Sequence, residues 1–295
     1  MRRAGRQLLR ALATLAGIWL FINLLPRWLP EDPARVAAGE FATSADVEAI
    51  RRLLGLDLPW APALKASASR LARGDLGTSV RYRRPVAEIL GKGFPVSLRL
   101  ALLAMGLSAC LGWILALGRS PRVRWLHAAA VASPVYVLGP LLLWAIAQHL
   151  PGIPVAGIAG WRSWILPSLA LMIPLAGHQA RILHSQLERL PGQLGPRCWE
   201  ALGVPARLRW ARWLLPAVSG PWLTVLGLQL GGLLGGAVLV ENIFGIPGLG
   251  QLLVGALSSR DLPLVQGAVL LGASLFVLAQ LLVEWCQVFL DPRLS

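Results

Sequence analysis

The sequence predicts an all-α polytopic membrane protein, and three observations carry that prediction. Apolar residues make up 56% of the 295-residue chain and charged residues only 14%, too few to coat a soluble domain of this length. Six apolar runs, at about 8–29, 96–118, 125–150, 164–183, 217–240 and 264–288, are each near the roughly 20 residues a helix needs to cross a bilayer. Among the short gaps between those runs the arginines collect in alternate ones, as membrane topology requires. The long gap 30–95, rich in both signs, exceeds the ~60 residues beyond which that rule lapses.

The formal net charge of +14 could in principle serve nucleic acid, but the arginines sit between apolar runs rather than on one soluble face. Of the three cysteines, Cys110 and Cys286 fall inside apolar runs, so no disulfide framework is implied.

The first run follows Arg2, Arg3 and Arg6 and imitates a signal peptide, but no small-residue cleavage site follows it. Residues 1–29 are therefore a cytoplasmic end plus a membrane anchor. Residues 30–95 read as a folded extracytoplasmic insertion. Val47, Ile50, Leu53 and Leu54 among Glu48, Arg51 and Arg52 have helical spacing, with Ser44 as the N-cap and Gly55 as the end. A turn-rich stretch, Gly74-Asp75-Leu76-Gly77-Thr78-Ser79, precedes the basic run Arg81, Arg83 and Arg84.

Residues 96–295 supply five further spans. Of the ionisable residues inside them, Arg99 and Glu284 each lie near enough to a span end to snorkel. Pro134, Gly139 and Pro140 predict a kinked third span, because proline removes a backbone hydrogen bond. The fifth span carries Gly227, Gly231, Gly232, Gly235 and Gly236, with Gln229 among them. That small-xxx-small pattern lets a second helix approach backbone to backbone. Between spans four and five, a segment of about 184–216 is rich in arginine and tryptophan. With the N-terminus inside, this segment and both termini are cytoplasmic.

Enzyme chemistry has no foothold. Gly91-Lys92-Gly93 lacks the upstream glycine and the Ser/Thr of a phosphate cradle. No histidine belongs to an HExxH motif, and His184 with Glu188 reads as a surface pair. Neither a metal nor a bound cofactor is expected. A passive channel or an ATP-independent secondary transporter is the reading from another class, but the buried coupling carboxylates and paired repeats of secondary transporters are missing.

Several motifs together resemble the ABC importer permeases of the dipeptide/oligopeptide/nickel branch. Ala201-Leu202-Gly203 followed by Leu215-Pro216 is similar to their cytoplasmic coupling loop. Glu241-Asn242-Ile243-Phe244-Gly245-Ile246-Pro247-Gly248-Leu249-Gly250-Gln251 and Arg260-Asp261-Leu262-Pro263 resemble their extracytoplasmic loops. So do Glu31-Asp32-Pro33-Ala34, the Gly74–Ser79 box with Arg84-Pro85-Val86, and the ending Asp291-Pro292-Arg293. The box and the ending point to the first of the two permease types that pair in this branch.

The resemblance implies a type I permease fold in a bacterial inner membrane. It also implies a second permease, two cytoplasmic ATPases that carry ATP and magnesium, and an extracytoplasmic solute-binding protein. Arg197, Trp199, Glu200, Ala201, Gly203, Arg207, Leu215 and Pro216 would meet an ATPase, with Gly203 as the elbow between two short helices. Gly74, Asp75, Gly77, Glu241, Phe244, Pro247, Gly248, Arg260 and Asp261 would form the outer loops. The cargo implied is a peptide first, and nickel or a metal–chelator complex second.

Overall fold

The computed structural model describes residues 2–28, 30–39, 42–118, 120–149, 152, 154–189, 201–209, 212 and 215–290. Regular structure among them is helical, apart from one isolated bridge between Thr78 and Pro85. The helices are α1 (Arg2–Trp28), α2 (Pro33–Ala38), α3 (Ser44–Leu53), α4 (Trp60–Ala72), α5 (Val86–Leu117), α6 (Pro121–Ala132) and α7 (Val135–His149). They continue as α8 (Ile165–Arg189), α9 (Ala206–Arg209), α10 (Leu215–Ile243), α11 (Leu249–Ser258) and α12 (Leu262–Leu290), with a 3-10 turn at Trp161–Trp164.

Three helical stretches are long and apolar enough to cross a membrane unaided: Gly5–Trp28, Val86–Leu117 and Leu262–Val288. Two bent pairs bring the number to five: Pro121–Ala132 with Val135–Ile146, and Leu215–Leu233 with Ala237–Ile243, the latter bent by 47°. The predicted fourth span is helical over 25 residues, but His178, Gln179, Arg181 and His184 interrupt its apolar character. Where α8 packs against α6, α7 and α10, Gln179 is buried and His184 half-buried, whereas His178 and Arg181 are exposed.

The predicted third span is broken more sharply than a kink. It is two helices that turn by 104° at Ser133-Pro134. Proline disfavours helical geometry in the residue before it, and Ser133 is extended at φ −87°, ψ 105°. Alone, α7 has 15 residues and is about 22 Å long, short of the roughly 30 Å apolar core.

The chain forms two compact units, residues 1–98 with 247–277 and residues 99–246 with 278–295. In the first, α1 is pinned at its end. Arg27 donates to Leu58 O (2.9 Å) and Gly55 O (3.3 Å), and Ser67 Oγ donates to Asn23 Oδ1 (2.8 Å). Arg51 pairs with Asp32 at 2.5 Å, joining α3 to the cap of α2. The N-cap of α3 is Thr43, one residue before the predicted Ser44, because Asp46 closes a capping box with Thr43. Gly55, at φ 67°, follows the helix end as predicted. The core of this unit gathers Val86, Leu90, Leu249, Ala256, Leu264 and Ala268.

In the second unit α8 is the central helix, burying Leu166, Ala170, Leu171, Ala176, Ala180 and Leu183. It crosses α6 closely: a Cβ on Gly177 would sit 2.8 Å from Ala130 Cβ and 2.9 Å from Val131 N. A second cluster, Ala116, Leu183 and Val218, is flanked by Trp113 and Trp222, whose rings meet edge to face at 5.6 Å.

Candidate functional site

In the first unit the turn-rich box and the Arg260-Asp261 turn, far apart in sequence, are one construction. Gly74 (φ 74°) ends α4, Asp75 Oδ1 accepts from Gly77 N at 2.8 Å, and Gly77 (φ 86°) turns the chain into the Thr78–Pro85 bridge. Asp261 then reaches in from the start of α12. Its carboxylate is fully buried and accepts from Ser79 Oγ, Arg81 N (3.2 Å), Val80 N (3.3 Å) and Leu264 N (3.3 Å). Tyr82 N closes the turn on Ser79 Oγ at 2.9 Å. An ionised carboxylate offers about four lone-pair sites, so four donors saturate it. Arg260, at φ 56°, turns outward with Nη1 3.7 Å from Glu31.

The segment 241–251 is mostly interior. Glu241, Phe244 and Ile246 are buried in the second unit, while Gly248 and Leu249 are buried in the first. Glu241 O accepts from Ile246 N (2.8 Å) and Phe244 O from Gly157 N (2.8 Å), so Gly245, at φ 61°, makes the turn. Asn242 and Pro247 are its exposed members.

Of the predicted coupling residues, Arg197, Trp199 and Glu200 lie outside the described residues. Ala201, Gly203, Arg207, Leu215 and Pro216 are exposed. Gly203 has φ 68°, a left-handed conformation that glycine adopts without strain, and among the described residues no atom lies within 4 Å of a would-be Cβ. Pro205 O accepts from Leu208 N (3.0 Å) and Arg209 N (3.2 Å), starting the short helix α9. On this basic segment Leu202 is 77% exposed and Leu215 47%.

Among the predicted packing residues, Pro134 and Pro140 are exposed, whereas Gly139 is buried with its would-be Cβ 3.2 Å from Ile243 Cδ1. A Cβ on Gly227 would sit 3.1 Å from Val283 of α12, and one on Gly232 would meet nothing within 4 Å among the described residues. Gly231 is half-buried on α10, the helix that also carries Gly235 and Gly236. Gln229 belongs to a polar knot that the sequence reading missed. Fully buried Gln179 donates through Nε2 to Gln229 Oε1 (2.7 Å) and Ser108 Oγ (3.0 Å), and Gln229 Nε2 donates to Leu175 O (3.0 Å). Trp222 Nε1 lies 3.4 Å from Gln179 Oε1. The usable signal was Gln179 itself, a polar residue inside an apolar run.

His127 and His184 form a second missed group. A helix leaves its last carbonyls without partners. Here His127 Nε2 lies 2.9 Å from Leu115 O and His184 Nδ1 3.0 Å from Ala116 O, at the end of α5. The two rings stack edge to face at 5.7 Å, and His184 Nε2 faces Glu188 at 3.1 Å, the pair that the sequence spacing implied. Among the described residues, no three His, Cys, Asp or Glu side chains are grouped to hold a metal ion.

A family model described as "Binding-protein-dependent transport system inner membrane component" matches residues 108–295. The chain is 32% identical over 297 residues to the glutathione transport system permease protein GsiC of Pectobacterium atrosepticum, covering 98% of this chain and 97% of that protein. The protein of the same name from Salmonella paratyphi A matches equally, at 32% with 98% and 97% covered. The probable peptide ABC transporter permease protein y4tP of Sinorhizobium fredii is 33% identical over 305 residues, again covering 98% and 97%.

Proposed function

The chain belongs to the family of inner membrane components of binding-protein-dependent transport systems, and from that premise we propose that it is the permease subunit of an ATP-driven peptide importer. The observation that carries the cargo class is the near full-length similarity to permeases named for glutathione and for peptide. Both names denote peptides, so the nickel alternative is not favoured.

The subunit is non-catalytic and works in a multi-pass inner-membrane assembly. It pairs with a second permease to form the path, and two cytoplasmic ATPases bind ATP and magnesium. A solute-binding protein delivers cargo from outside. Both termini and the segment 184–216 face the cytoplasm, and residues 30–95 form the extracytoplasmic insertion before the permease core, 96–295. The exposed Leu202 and Leu215 support the ATPase-facing reading, since leucines among arginines on a bare loop suit a protein cover. The left-handed backbone at Gly203 supports its role as the elbow. Gly232, open among the described residues, fits close approach by the second permease. The Asp261 turn and exposed Pro247 face the binding protein.

The test is co-expression of the operon partners, pull-down through this chain, and ATP-dependent uptake of labelled glutathione and trialanine into proteoliposomes. Recovery of both ATPases with peptide uptake supports the reading. A chain that moves solute without ATP or ATPases overturns it in favour of a channel or secondary transporter. ATP-driven uptake of nickel but not peptide overturns the cargo.

A further inference from the structure

The second unit carries an open cavity of about 810 Å³ to which no role has been given so far. Its wall is apolar, built from Leu103 and Leu107 of α5 and from Trp161 and Trp164 before α8, with Ser168 among the lining residues. The volume falls within the roughly 300–1,000 Å³ typical of small-ligand sites. One cation lines it: Arg99. Among the described residues Arg99 has no carboxylate partner, and no acidic side chain lines the cavity.

The guanidinium of Arg99 lies over the ring of Trp164, 5.5 Å from its centroid. A guanidinium held above an aromatic ring makes a cation–π contact, while its N–H donors remain available in the guanidinium plane. Those donors form the planar fork that binds a carboxylate through two parallel hydrogen bonds. A second stacked cation, Arg162 over Trp161 at 5.6 Å, adds to the positive field beside the cavity. Arg99 is exposed at the rim, and with no acidic side chain lining the cavity the local field there is positive and favours an anion. Counting about 20 residues back from the end of α5 at Leu117 puts Arg99 at the outer edge of the apolar layer.

We infer that this cavity is a cargo subsite at the outer mouth of the path, in which Arg99 binds the C-terminal carboxylate of the peptide and Trp161 and Trp164 contact its side chains. The inference rests on the peptide-importer reading and adds a specificity-determining residue to it. A lipid headgroup shares the anionic chemistry. Varying the phosphatidylglycerol content of the vesicles separates the two sources.

The experiment compares parental, Arg99→Gln and Arg99→Lys complexes, each with its ATPases and binding protein in proteoliposomes. The probes are glutathione and trialanine as free acids and as C-terminal amides. Because binding protein and partners are common to all samples, any selectivity they impose cancels. Arg99→Gln is expected to lower kcat/KM for the acids at least tenfold and leave the amides within twofold, so that the acid/amide ratio falls at least about fivefold relative to the parental complex. Arg99→Lys should retain part of that ratio. Equal losses for acid and amide, or none for either, overturn the subsite. So does a loss that varies with the phosphatidylglycerol content of the vesicles and ignores the peptide terminus, which would assign the cavity to lipid. If the parental complex imports none of the four probes, the peptide-importer reading fails, and the subsite with it.

Discussion

Replacing Asp261 by alanine should release the Gly74–Arg84 turn while leaving the membrane helices inserted. The buried carboxylate accepts from one hydroxyl and three backbone N–H groups, and alanine leaves all four donors without an acceptor. Hydrogen bonds to a charged group contribute about 1.5–3 kcal/mol each. The three N–H contacts are long, at 3.2–3.3 Å, so together they are counted as one bond beside that from Ser79. Two bonds at the lower limit amount to about 3 kcal/mol, which raises the local opening equilibrium on the order of 100-fold. Arg81, Arg83 and Arg84 are exposed in this turn, and the bond after Arg84 is shielded by Pro85. Trypsin should therefore cut the detergent-solubilised chain after Arg81 and Arg83, with a rate that follows the opening equilibrium when closing is fast. Mass spectrometry of the early products measures that rate. Asp261→Asn should be intermediate: one oxygen still accepts, but the amide NH2 opposes an N–H donor. Cleavage of the alanine variant no faster than the parental chain would refute the reasoning.

Gly177→Ala places a methyl 2.8 Å from Ala130 Cβ and 2.9 Å from Val131 N, so α8 and α6 must part. Overpacking of this kind costs about 1–3 kcal/mol, expected as a lower thermal-denaturation midpoint in detergent, whereas Gly232→Ala in the isolated chain should not lower the midpoint, since alanine favours the helix over glycine. Hydrogen bonds from the Thr43 side chain and then its backbone hold the Asp46 carboxyl below its ordinary value. A depressed carboxyl stabilises the fold above its unfolded pKa and loses that contribution as pH falls through the folded one. Amide-exchange protection of the first turn of α3 should therefore persist at neutral pH and fade on acidification, and Thr43→Ala should shift the fading to higher pH. Gly203→Glu is expected to insert normally but lose ATPase co-purification and uptake. Gly203→Asn should retain much of both, because asparagine tolerates the left-handed φ of 68°; equal loss in the two variants would mean that the side chain, not the backbone, is what the loop excludes.

The helical class, the long apolar helices and the local end signals were legible because each depends on neighbours within a few turns. Apolar runs mark membrane-length helices, and Gly55 marks the end of α3, as the backbone bears out. Even the displaced cap was written locally, since Thr43 and Asp46 have the capping-box spacing and Ser44 was the less informative neighbour. Pro134 announced a break, but not its 104° size, which depends on how α6 and α7 each pack on α8.

Other features were decided only in three dimensions. Ser79 and Asp261 are 182 residues apart, and Gln179 and Gln229 are 50 apart. Nothing in either local sequence names its partner. Arg99, read as a residue free to snorkel, lies instead over Trp164 beside a cavity. The predicted outer segment 241–251 is largely buried: Gly139 of α7 lies against Ile243 and Phe244, and Gly157 N bonds to Phe244 O, leaving Asn242 and Pro247 exposed. Periodicity tells a helix which of its faces is apolar. Which helix covers that face is settled by packing among all of them at once, and only then does a buried polar group find the donor that makes its burial tolerable.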